Sequence, residues 1–314
     1  MASTKVKVPT IEFCNHEELK PNTPLWESTK IQVFEAFQKF GCFEAIYNKV
    51  PNEIIEAMFD TSKEIFEFPL VSKLKEYREK PYHIYEGQIP RVPFYDSVGT
   101  VDFLLPNSVE TLANTIWPHG NPNYCNVAKS YYKPLMELDE MVKRMIWESL
   151  GLKNYIDEFL EPNFYLLRFT NYKAIKGEDG IKPGLGPHTD GGSITIIKQN
   201  QIGLQVLNNK NGEWIELNNT SPNSYVVLSA DSFMAWTNDR LQSAMHRVEM
   251  HEDKDRFSIQ LFSAPRPDYL IEVPKELVDE EHPLLYKSFK MVEYYEYIMS
   301  GAKNGYGLKN YYGL

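Results

Sequence analysis

The chain has 314 residues, 42% of them hydrophobic and 13% aromatic, which supports a sizeable core and excludes a disordered or low-complexity polypeptide. Its net charge of -10 comes from acidic residues spread along the sequence, which argues against nucleic acid or an anionic membrane surface and leaves a small molecule as the expected partner. Met1 to Lys7 hold no apolar signal core and no window approaches the ~20 apolar residues of a membrane span, so a cytoplasmic protein, acting as a monomer, is the expectation.

Taken in chain order, Val8 to Phe13 read as a short strand and Leu25 to Phe40 as a helix, with Ile31, Val33, Phe34, Phe37 and Phe40 at helical spacing and Gly41 as its stop. A second helix starts at Pro51-Asn52-Glu53, with Asn52 as its cap. Residues 79–123 carry Pro81, Pro90, Pro93, Pro106, Pro118 and Pro122 among aromatics and read as irregular structure, too apolar for a solvated linker. A long helix is expected over 127–150. From about Asn163 short β-rich runs follow one another, at 164–170, 193–198, 204–207, 214–217, 225–228, 233–236, 244–249 and 257–263, with Asn211-Gly212 as a hairpin turn. A helix over 286–301 ends the series. The expected fold is mainly β, a jelly-roll (double-stranded β-helix) core flanked by N- and C-terminal helices. In segments this is 1–157, an α/β region packing on the core; 158–265, the core; and 266–314, a helical extension. Cys14, Cys42 and Cys125 lie far apart without a Cys-x-x-Cys pair and read as buried or half-buried thiols.

The chemistry concentrates in the strand-rich part. His16, His188 and His251 each have a carboxylate two positions on, but His16 and His251 lie in polar, charge-dense stretches and read as surface residues. His188-Thr189-Asp190 instead follows Pro183-Gly184-Leu185-Gly186-Pro187 and leads into Ile194-Thr195-Ile196-Ile197, at the mouth of a sheet. Imidazole and carboxylate then share one strand face, and His246, from a later strand, completes a two-His-one-carboxylate set with open coordination positions for substrate and O2. Alone, His246 reads more readily as a satisfied core or surface histidine; the set gives it its value. Among the arginines only Arg256 has a serine two positions on, Ser258, so guanidinium and hydroxyl point the same way and can fork onto a carboxylate. The plain alternative is a surface arginine paired with Asp253 or Asp255. Tyr172 either points inward as a phenol donor or lines the core. Tyr85, Phe94 and Tyr95 either wall a substrate pocket or seal the core.

With these residues in this order the chain resembles the plant Fe(II)/2-oxoglutarate-dependent dioxygenases, and among them the AOP-like group named for glucosinolate side-chain enzymes. Phe40-Gly41-Cys42-Phe43-Glu44, Gly87-Gln88-Ile89-Pro90-Arg91-Val92-Pro93, Leu166-Leu167-Arg168, Gly203-Leu204-Gln205-Val206, Gly212-Glu213-Trp214 and Trp236 to Leu241 fall in the family's order, so the likeness spans essentially the whole chain. Its early residues are similar to nightshade members that oxidise steroidal glycoalkaloids. The resemblance implies His188, Asp190 and His246 as Fe(II) ligands, and Arg256, Ser258 and Tyr172 as the residues that hold 2-oxoglutarate. Thr170 stands where many relatives have asparagine. It also implies O2 as oxidant, ascorbate as a supporting reductant, and a hydroxylase acting on a plant specialised metabolite, with a steroidal alkaloid or its glycoside as first choice. A glucosinolate-type substrate, or demethylation, desaturation or ring closure, is the alternative within the family. A non-catalytic binder and a zinc hydrolase are the alternatives outside it, and neither requires a dicarboxylate clamp.

Overall fold

The computed structural model describes residues 6–73, 85–89, 92–100, 102, 104–174, 182–250, 254–300 and 307–314. The chain begins with β1 (Thr10–Glu12), α1 (Pro24–Phe40), β2 (Cys42–Ile46), α2 (Asn52–Glu67) and α3 (Leu70–Lys73). Thr23 caps α1 by accepting the Trp26 N–H at 3.2 Å, and Pro24 fits the first turn, where its missing N–H costs nothing. Gly41 ends the helix at φ 69°, and a Cβ there would lie 2.8 Å from the Gln242 carbonyl, so both conformation and close approach require glycine. The second helix starts as expected, but Pro51 occupies the capping position and Asn52 is already helical, without a side-chain cap bond.

Among its described residues, the stretch expected to be irregular is largely regular. It holds β3 (Tyr85–Ile89), β4 (Val92–Gly99) and α4 (Ser108–Ile116), and Pro122 opens α5 (Pro122–Ser149) rather than closing a loop. Prolines at strand margins and first helical turns are compatible with order, so their density misleads as a loop signal. Asn121 accepts the Tyr124 N–H at 2.9 Å, which moves the start of α5 ahead of the expected Val127. The helix runs through Pro134 and carries a buried Lys143–Asp139 pair at 2.9 Å, whose Lys143 Nζ reaches the sheet by donating to Asn163 Oδ1 and Ser263 Oγ, both at 2.9 Å. Tyr165 and Ser263 donate to the Asp139 carboxylate at 2.9 and 2.6 Å, so both charged groups are satisfied.

After α6 (Ile156–Leu160) come β5 (Asn163–Tyr172), β6 (Lys182–Pro183), β7 (Ile194–Gln199), β8 (Leu204–Leu207), β9 (Trp214–Glu216) and β10 (Ser224–Ser229). Then follow α7 (Asp231–Trp236), β11 (His246–Met250), β12 (Arg256–Pro265), β13 (Leu270–Ile271), β14 (Phe289–Lys290), α8 (Met291–Met299) and α9 (Gly307–Tyr312). An eight-stranded sheet, ordered β1-β2-β10-β7-β12-β5-β4-β3, and a four-stranded sheet, β6-β11-β8-β9, make up the jelly-roll core, without a closed barrel among the described residues. The expected Asn211-Gly212 turn joins β8 to β9, with Gly212 at φ 73°. Two expectations fail here. Residues 233–236 form helix α7 rather than a strand, a short apolar run being ambiguous between the two. The last long helix starts at Met291 rather than Tyr286, because Phe289–Lys290 pair with β13 and Tyr286 bridges Gly313. Cys42 and Cys125 are buried and Cys14 half-buried, as expected. No helix among the described residues is long and apolar enough to cross a membrane.

Candidate metal centre and anion clamp

His188 lies in the irregular approach to β7 and His246 opens β11. Their backbones exchange two hydrogen bonds, His188 N to His246 O at 3.0 Å and the reverse at 2.9 Å, which sets the rings side by side with centroids 4.1 Å apart. Each Nδ1 faces a carbonyl two residues upstream, that of Gly186 at 2.8 Å and that of Ala244 at 3.0 Å. An Nδ1–H donated to a carbonyl fixes the tautomer and leaves the Nε2 lone pair outward for a cation. Asp190 brings Oδ1 to 3.8 Å from His188 Nε2 and 3.9 Å from His246 Nε2. Thr195 on β7 holds its other oxygen with a 2.6 Å hydrogen bond. One donor atom from each residue falls within 4.8 Å of the others, a span that one ion with bonds of ~2.0–2.2 Å can bridge with slight tightening. The two nitrogens and one oxygen suit Fe(II) with positions left open.

Arg256 and Ser258 open β12, where registration with β5 places Tyr172 opposite Arg256 and Thr170 opposite Ser258. Directly opposed residues share a sheet face, so all four point the same way. Arg256 is buried, and burial lowers its pKa to about 10, still cationic at neutral pH. Its Nη2 donates to Gln199 Oε1 at 2.6 Å, and the Tyr172 ring lies 5.3 Å from its guanidinium carbon. Nε and Nη1 are buried with no hydrogen-bond partner among the described residues. Nη1, with the second proton of Nη2 on the same edge of the guanidinium and the Ser258 hydroxyl on the same sheet face, offers donors for one carboxylate of a dicarboxylate. Ser258 Oγ accepts from Gln260 Nε2 at 2.6 Å, which leaves its own proton to donate. Gly203, at φ 142°, makes room for this side chain, since a Cβ there would lie 3.2 Å from Arg256 Nε and 2.3 Å from the Glu249 carbonyl.

The other expected site residues divide. Tyr95 pairs with Tyr172 across β4 and β5 and meets its ring edge-on at 5.4 Å, so it belongs to the clamp wall. Phe94, next to it, falls on the opposite sheet face and is 42% exposed, away from the clamp. Tyr85 lies on β3, with its side chain outside the described residues. Thr170 is buried and donates to Gln260 Oε1 at 3.2 Å. His16 is half-buried beside Tyr47 and bonds Asn48 at 2.7 Å, and His251 lies outside the described residues. Sequence reasoning passed over Thr195, Gln199 and Gly203. Thr195 and Gln199 lie along β7 on the face that carries Arg256, but Ile197 between them on that face and Lys198 on the other leave no period-two signal to mark them. A cavity of about 310 Å³ is lined not by the ligand residues but by their neighbours Thr189 and Met245, with Asp231, Leu241 and Leu308.

Residues 163–265 match the model of the 2OG-Fe(II) oxygenase superfamily, and residues 8–91 match that of the non-haem dioxygenase in morphine synthesis N-terminal region. A probable 2-oxoglutarate-dependent dioxygenase AOP1.2 of Arabidopsis thaliana is 36% identical over 306 residues, covering 96% of this chain and 93% of the relative. The chain belongs to the 2OG-Fe(II) oxygenase superfamily. It is an AOP-like plant 2-oxoglutarate-dependent dioxygenase of specialised metabolism, with Fe(II) and 2-oxoglutarate as its cofactors. Among solved structures this oxygenase is similar to the rice dioxygenase for auxin oxidation, at TM-score 0.82 and 25% identity, over 98% of this chain and 100% of that one. It is also similar to the Arabidopsis thaliana dioxygenase for auxin oxidation 1 in complex with 2-oxoglutarate, at TM-score 0.78 and 27% identity, over 88% of this chain and 99% of that one.

Proposed function

We propose that this oxygenase hydroxylates a plant specialised metabolite at a C–H bond, and that its substrate is a steroidal alkaloid or its glycoside. The observation that carries the reaction is the buried Arg256 fork, with two unpaired donors, on a sheet that also orients Asp190 through Thr195. In this reading His188, Asp190 and His246 hold Fe(II). Arg256 and Ser258 bind the distal carboxylate of 2-oxoglutarate, and Tyr172 packs against the guanidinium and donates its hydroxyl to the co-substrate. Thr170, standing where relatives have asparagine, orients Gln260 and through it Ser258. Bound there, Fe(II) with 2-oxoglutarate and O2 supplies the oxidising power for a C–H bond. The chain's own work is placement, and it decides which carbon lies within reach. We assign this chemistry to segment 158–265, with 1–157 and 266–314 as walls of the substrate pocket, in a cytoplasmic monomer.

The steroidal substrate is supported by the likeness of the early residues to nightshade glycoalkaloid oxidisers. A glucosinolate-type substrate is the second reading, favoured by the 36% identity to the AOP relative. Anaerobic addition of Fe(II) and then 2-oxoglutarate to the purified protein should produce the weak visible charge-transfer band of a chelated keto acid. A protein that binds iron but shows no band contradicts the reading. Succinate formation dependent on a steroidal glycoalkaloid, and absent with glucosinolates, supports the substrate; the reverse pattern replaces it.

A further inference from the structure

Asp231, the first residue of α7, is buried, and its carboxylate gathers three hydroxyls from three parts of the chain. Thr189, between two of the metal-corner residues, donates to Oδ2 at 3.0 Å, and Ser243, three positions before His246, donates to Oδ1 at 2.6 Å. Tyr294 of α8 donates to Oδ2 at 2.5 Å. The backbone reinforces this junction: the Asp231 N–H donates to the Asp190 carbonyl at 2.9 Å, Ser232 N–H to Gly192 O at 3.0 Å, and Ala230 N–H to Ser193 O at 3.0 Å. Helix α8 also covers the turn after Asp190 directly. A Cβ on Gly191 would lie 3.3 Å from atoms of Tyr294, Tyr295 and Ile298. Both segments that deliver the corner are thus tied to one carboxylate, and the third tie comes from a helix otherwise remote in sequence.

We propose that Asp231 is a positioning residue that sets the mutual placement of His188, Asp190 and His246, and that Tyr294 makes the seating of α8 part of that placement. The inference rests on the metal-ligand reading above. An ionised carboxylate can accept all three hydroxyls, whereas an amide must turn an N–H2 group toward at least one of them. Hydrogen-bond partners that orient metal ligands typically change metal affinity by 10–100-fold when removed.

The test is Co(II) titration of the full-length protein, following ligand-field absorption, in wild type, Asp231→Asn, Tyr294→Phe and Thr189→Val, with the thermal midpoint of each metal-free protein as control. Asp231→Asn should weaken Co(II) binding about 10–100-fold and alter the spectrum, and Tyr294→Phe should weaken it about 3–10-fold. Tyr294→Phe added to Asp231→Asn should cause little further loss, because both act through one carboxylate. Asp231→Asn can fail to fold; Tyr294→Phe removes only a hydroxyl and then decides the matter. Folded Tyr294→Phe and Thr189→Val proteins with wild-type Co(II) affinity and spectrum overturn the inference and leave the metal site standing. Wild-type protein that binds no Co(II) overturns the metal-site reading itself, and this inference with it.

Discussion

The metal corner and the anion clamp sit in one protein but are held by different means. His188 and Asp190 lie on a stretch outside any strand, joined to His246 by one two-bond bridge and steered by turn carbonyls and hydroxyls. Arg256 and Ser258 open a strand paired with β5 along its whole length, and their side chains are buried. The corner keeps its donors partly open, with the His188 side chain 23% exposed and Asp190 14%, as an ion that must also meet substrate and gas requires. The clamp buries a cation, which is tolerable only where donors find acceptors, and among the described residues two of its donors have no partner. In the proposed reading, the metal is held from turns and the co-substrate from a fully paired strand.

If that contrast holds, the two regions should respond differently to mutation. The largest loss should come from His188→Ala. Removing a ligand should lower turnover by more than about 100-fold, beyond what loss of an orienting partner costs, while the unfolding midpoint changes little because the side chain is partly exposed. Succinate release and chemical denaturation measure the two quantities, and a large stability loss would erase the distinction.

Arg256→Ala should act next, and on both quantities. Two charge-assisted hydrogen bonds at ~1.5–3 kcal/mol each amount to about 100-fold or more in 2-oxoglutarate affinity. The Co(II) affinity of the metal corner should stay close to wild type. The same residue sets a pH dependence. Binding needs the cationic form, and burial lowers the Arg256 pKa to about 10. Affinity for 2-oxoglutarate in the Co(II) protein should therefore be level from neutrality to about pH 9 and fall as pH passes about 10. An affinity unchanged at pH 11 would show that the guanidinium stays protonated at that pH. The smallest effect belongs to Tyr172→Phe, which keeps the ring beside the guanidinium and removes the hydroxyl. The KM for 2-oxoglutarate should rise about 2–10-fold with kcat nearly unchanged, the worth of a single neutral hydrogen bond.

Much of this arrangement was legible in the chain. The His188, Asp190, His246, Arg256 and Ser258 set could be written down from spacing and context; period two holds for Arg256 and Ser258, whereas His188 and Asp190, expected on one strand face, lie outside any strand and are placed by a turn. Gly41 and Asn211-Gly212 announced their turns locally. The prolines of residues 79–123 hid two strands and a helix, because proline reports what a single residue cannot do and not what its neighbours form. The Phe233 to Trp236 run looked like another strand, yet the residues just before it, Ala230 to Ser232, are tied by their backbone to Asp190 and the turn after it, a contact between segments far apart in sequence. Phe94 and Tyr95 looked equivalent as pocket walls until registration with β5 put them on opposite faces.

By itself, then, the sequence determined the ligand types, the charge and shape of the clamp, and the order of most core strands, since all of these depend on side-chain chemistry and short-range periodicity. Only the tertiary structure decided which donors remain unpaired on Arg256, which hydroxyls steer Asp190, and that Thr189, Ser243 and Tyr294 converge on Asp231. Those facts depend on the packing of segments up to a hundred residues apart, where burial removes water as the alternative partner and makes each remaining hydrogen bond count.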